Sequence, residues 1–131
     1  MSFYNQLLAA TLREREALLN LPLIRAGAAG QVSREAYIAF LAEAYHHVKH
    51  TVPLLMSCGA RLPERYEWLR EAVAEYIDEE IGHQEWILND INACGGDAEM
   101  VRRGQPGLAT ELMVAYAYDG KIGRASCRER V

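Results

Sequence analysis

Between Pro63 and Cys94 apolar residues recur at helical spacing, and one carboxylate and one imidazole sit inside the apolar stripe they make. On a wheel of about 100° per residue, Leu69, Val73, Tyr76, Ile77, Ile87 and Ile91 share one side. Glu80 and His83 fall among them. Glu67, Glu71, Glu75, Asp78 and Glu85 fall on the other side, where solvated acids belong. A lone carboxylate is costly to bury unless it is paired, protonated or bound to metal. A long helix carrying such a pair on its core face restricts the chain to folds that bury that face.

The remaining segments read as helices too. Leu7, Leu8, Leu12 and Leu18-Leu19 predict a helix over 3–20, with Ser2 as N-cap and Pro22 as its stop. A short helical turn and a loop are expected over 22–31, where Gly27 and Gly30 lie. Ser33 caps a second helix over 34–57, which Pro53 should kink or open in its last turn. The third runs over 63–94 and stops at Gly95-Gly96. A short helix over 97–103 and a last one over 108–118 follow. No strand pattern is present. The predicted class is all-α, a helical bundle.

At 131 residues one domain is expected. Fourteen basic against 18 acidic residues, a net charge of -4, leave no electrostatic footprint for nucleic acid. No apolar run approaches the roughly 18 residues of a membrane span. The N-terminus lacks a basic segment followed by an apolar one, so a cytoplasmic protein is expected. Cys58, Cys94 and Cys127 form no CxxC and no disulfide framework.

Residues 122–131 read IGRASCRERV. That string is the in-frame translation of ATC GGA AGA GCG TCG TGT AGG GAA AGA GTG, which resembles a common short-read sequencing adapter. Residues 121–131 are therefore expected to be a sequencing artefact. Residues 1–120 would then be the N-terminal part of one longer helical domain. A natural basic tail is the alternative.

At positions i and i+3 a carboxylate and an imidazole project to the same side of a helix. Carboxylate plus imidazole suits iron or manganese, and Glu-x-x-His recurs in the di-metal sites of bundles. Glu80 and His83 are thus candidate metal ligands, with Glu79 an alternative to Glu80. The competing reading is a pair that only hydrogen-bonds to itself or to a neighbouring helix. A second Glu-x-x-His, Glu43 and His46, has His47 and His50 close by. Glu43, His46 and His50 lie opposite the stripe through Tyr37, Leu41, Ala44, Tyr45, Val48, Val52 and Leu55, so a solvated histidine-rich face is expected. They would join a metal site only if both faces of that helix were covered. Tyr37, Tyr45 and Tyr76 are expected to face inward. Cys58 lies at a helix C-terminus, the wrong end for a stabilised thiolate.

The segments AYIAFLAEAYHHVKHTVPLL and AEYIDEEIGHQEWILNDINACGGD resemble the heme-oxygenase-like superfamily. Within it, the match is to the iron-containing redox enzymes, relatives of TenA-type thiaminases and pyrroloquinoline-quinone synthase. The specific element is EExGH, here Glu79-Glu80-Ile81-Gly82-His83, and the resemblance extends over residues 1–120. It implies a helical bundle and, in the di-iron oxidases, side chains from three core helices around two irons. The first helix gives a Glu and a His, which map to Glu80 and His83. The second gives a Glu, and the third gives two His and an acidic residue. Those four would fall beyond Gly120, and Asp119 is no convincing replacement. The resemblance implies O2 activation and oxidation of a small organic substrate by the intact protein, with this shorter chain binding iron poorly and inactive.

Two rivals stay open. One is a metal-free enzyme of the thiaminase or pyrroloquinoline-quinone-synthase type. The other is a non-catalytic helical module. A chain lacking later helices would also expose apolar faces, so a partly molten or homodimeric state is expected.

Overall fold

A computed structural model describes residues 2–120, which form helices joined by short connections and contain no strand. The all-α expectation holds. The expected artefact at 121–131 lies outside the described residues.

The described residues divide into two units, one up to residue 37 and one from residue 38 onward. The first carries α1 (Phe3–Ala10), α2 (Leu12–Leu19) and α3 (Pro22–Ala28). Ser2 caps α1 by accepting a hydrogen bond from the Asn5 amide at 3.3 Å. The single helix expected over 3–20 is interrupted at Thr11. The Thr11 hydroxyl donates to the Leu7 carbonyl at 2.8 Å, and its backbone leaves helical geometry at φ -107°, ψ 8°. A threonine that bonds back to the preceding turn bends a helix, an effect that apolar spacing does not register. Pro22 stands at the start of α3, where its missing N–H costs nothing. No described residue of this unit is buried, and Phe3, Leu12, Leu18 and Leu19 are exposed.

The helix α4 (Arg34–Val48) starts at Ser33, whose hydroxyl accepts from the Ala36 amide at 3.1 Å. It ends earlier than predicted. Pro53 is the third residue of α5 (Thr51–Arg61), inside the first turn, where helical N–H groups have no partner. Its ring excludes the carbonyl four residues back, and so α4 and α5 are separate helices meeting at Lys49-His50 rather than one kinked helix. A short 3-10 turn (Glu64–Tyr66) leads into α6 (Glu67–Glu80). Arg70 ties α6 to the end of α5, donating to the Gly59 carbonyl at 3.0 Å and to the Leu62 carbonyl, and also to Glu67. Its guanidinium thereby satisfies carbonyls at the end of α5.

The long helix expected over 63–94 is two helices, α6 and α7 (His83–Ala93). Ile81 is extended, and Gly82 has φ +93°, a left-handed conformation that favours glycine. The hydrophobic period survives on either side and so conceals the break. Gly95, at φ +79°, ends α7 as predicted. The Gly95 amide donates to the Asn92 carbonyl and the Gly96 amide to the Ile91 carbonyl, both at 2.9 Å. Asp97 caps α8 (Ala98–Arg103) through the Met100 amide at 2.9 Å, and α9 (Leu108–Asp119) follows.

The core of this second unit is Leu41 and Tyr45 from α4, Leu88 and Ile91 from α7, and Ala98 from α8. Ile38, Ile87 and Val101 pack around it. Burying each large apolar side chain contributes about 1.5–3 kcal/mol. Tyr45 faces inward as expected, whereas Tyr37 and Tyr76 are exposed. Tyr76 belongs to α6, which contributes no fully buried residue, so its apolar stripe is only half covered. Arg102 of α8 holds Glu85 of α7 at 2.8 and 2.6 Å and Glu99 at 3.1 Å. Its guanidinium keeps the Glu85 carboxyl below the usual carboxylate range.

Candidate metal centre

Glu80 is the last residue of α6 and His83 the first of α7. The helix between them, on which the i, i+3 argument rested, is broken. The pair nevertheless meets: His83 Nδ1 lies 2.9 Å from Glu80 Oε2. The left-handed turn at Gly82 substitutes for the missing helical turn. The side chains are 18% exposed for Glu80 and 30% for His83, covered yet reachable. A carboxylate only accepts hydrogen bonds, so Nδ1 must donate. Among the described residues, no hydrogen bond engages Nε2 of His83 or Oε1 of Glu80. Trp86, one turn further along α7, lies against the imidazole with ring centroids 4.5 Å apart and planes at 43°. Sequence reasoning did not single out Trp86, although its i+3 spacing from His83 was the available signal. Glu79 is exposed.

The second Glu-x-x-His is not on a solvated face. His46 is buried at 3% exposure, and Glu43 and His50 are half-buried; His47 alone is exposed. The cover is α9. The Glu43 carboxylate accepts from the Gly107 amide at 3.0 and 3.1 Å and from the Thr110 hydroxyl, capping α9 across the fold. At the other end of α9, Tyr118 Oη is 3.1 Å from His50 Nδ1, with the two rings edge to face. Lys49 Nζ lies 3.3 Å from His46 Nδ1. A lysine only donates, so that nitrogen accepts and Nε2 carries the proton.

Electrostatics follow these contacts. The hydrogen bonds from Thr110 and Gly107 hold the Glu43 carboxyl below its ordinary range. Burial, then the charge of Lys49, pushes His46 and His50 below the usual imidazole range. Glu43 and His50 are therefore already engaged with α9, and His46 with Lys49. The structure does not bring them to Glu80 and His83. Among the described residues no group of three His, Cys, Asp or Glu side chains could hold a metal ion.

The span containing all of these side chains is also the span that known proteins share. A family model described as iron-containing redox enzyme matches residues 38–124. The chain belongs to that family. Membership in the iron-containing redox enzymes places it in the heme-oxygenase-like superfamily and accords with the all-α fold. The match begins within α4, so it covers the second unit and not the first. No curated protein and no solved structure gives a significant match. Carboxylate and imidazole fit iron in kind. In number they give two donors, so the described residues could supply only a share of a coordination sphere. No helix among the described residues is long and apolar enough to cross a membrane.

Proposed function

We propose that the chain is part of an oxidoreductase that uses O2 at a non-haem di-iron site to oxidise a small organic substrate, and that Glu80 and His83 are ligands. The observation that supports this best is the covered 2.9 Å Glu80–His83 contact inside the span shared with the iron-containing redox enzymes. His83 would offer Nε2 and Glu80 would offer Oε1, the atoms the mutual hydrogen bond leaves free. Glu80 would also keep the imidazole in one tautomer, as carboxylates do for ligating histidines. When bound, iron would supply binding and reduction of O2.

The other donors the resemblance implies we place beyond Gly120, in a longer gene product that contains residues 1–120. On that reading the 131-residue chain binds iron weakly and does not turn over. Metal analysis of the intact gene product tests it, with Glu80→Ala and His83→Ala as controls. About two irons per chain, lost in both variants, is the expected result for a di-iron site. An iron-free, active protein would sink the reading and favour the metal-free relatives. A natural stop codon after Val131 would sink the claim that donors lie further on.

A further inference from the structure

We infer that Trp86 is a positioning residue for His83: its indole holds the plane of the imidazole so that Nε2 is presented in one direction. The inference rests on the reading of His83 as a ligand, and deepens it.

Trp86 is 63% exposed. Leu88 and Ile91, which α7 contributes to the core, already account for the buried face of that helix. Core packing therefore does not explain a large aromatic at position 86, and its contact with His83 does. An imidazole has two side-chain torsions to fix. The hydrogen bond from Nδ1 to Glu80 restrains one edge of the ring. The indole at 4.5 Å and 43° restrains its face. Both contacts depend on Gly82. Its carbonyl accepts from the Glu85 amide at 2.9 Å and the Trp86 amide at 3.3 Å, and so His83 and Trp86 occupy one helical turn. A ligand whose rotamer is fixed before metal arrives loses less freedom on binding.

The test uses the 131-residue chain with Trp86→Leu and Trp86→Phe, read first without metal. The nitrogen chemical shifts of the His83 ring report which nitrogen carries the proton. The parent chain and Trp86→Phe should show Nδ1–H predominating. In Trp86→Leu the freed ring should leave Glu80 part of the time, and the Nε2–H tautomer should grow. Unchanged tautomer populations in Trp86→Leu would overturn the inference, because a residue serving only stability would leave them unmoved. Cobalt(II) titration forms a second arm. Trp86→Leu should bind roughly tenfold more weakly, the scale of losses when support of a metal ligand is removed, with Trp86→Phe restoring affinity. Cobalt binding that is indifferent to His83→Ala would overturn the ligand reading, while the tautomer result would still decide the role of Trp86.

Discussion

Glu43 of α4 caps α9 from 64 positions away, taking two hydrogen bonds from the Gly107 amide and one from the Thr110 hydroxyl. Most N-caps are local; this one ties the last described helix to the centre of the fold. Glu43→Ala should cost about 0.5–2 kcal/mol, the range for lost caps, read as a lower urea midpoint. The native carboxyl titrates below its unfolded value, so its contribution is present above the ordinary carboxylate range. It is lost as pH falls through the lower folded value. Glu43→Gln should flatten that acid limb, and an unaltered limb would contradict the assignment.

The second pH dependence has a different window. His46 and His50 titrate lower when folded than when unfolded, because burial and Lys49 disfavour their charged forms. The unfolded chain then binds more protons below about pH 6.5, the ordinary imidazole value, and stability falls as pH drops from there toward the folded values. Above that window these groups contribute no slope. Urea melts between neutral pH and pH 5 should show the loss, and His50→Gln should reduce it.

At Gly82 the φ of +93° forces the left-handed region, while a methyl group would meet no atom within 4 Å. The cost of Gly82→Ala is thus conformational, about 1–2 kcal/mol. The variant should melt earlier, and the Glu80–His83 hydrogen bond should weaken with it, seen in the His83 ring nitrogen shifts.

Space decides the outcome at Gly96. A methyl group there would come to 2.8 Å from Ile91 Cγ2 and 3.1 Å from Ile38 Cγ2. Ile91 has no exposed surface to move into. Gly96→Ala should cost about 1–3 kcal/mol by overpacking, and Ile91→Ala about 2–5 kcal/mol by leaving a cavity. Calorimetry that found Gly96→Ala to be neutral would show that the core near Gly96 is looser than its packing implies.

How far the sequence was legible depends on what each signal measures. Capping at Ser2 and Ser33 and the stop at Gly95 are local chemistry, readable from a few neighbouring residues, and the helices duly begin or end there. Apolar period reports which side of a helix is greasy. It does not report whether the helix is continuous, and so it passed over Thr11 and Gly82, where a side-chain hydrogen bond and a left-handed glycine break the backbone without disturbing the rhythm.

The sequence by itself determined an all-α chain, the capped starts at Ser2 and Ser33 and the stop at Gly95, because these follow from residues within a turn or two of each other. Only the tertiary structure decided that His46 is buried, that Glu43 is a cap, and that Trp86 lies on the His83 ring. A helical wheel shows a polar face but not what will lie on it. For α4 that was set by α9, whose amide, hydroxyl and phenol give Glu43 and His50 partners that water would otherwise have supplied.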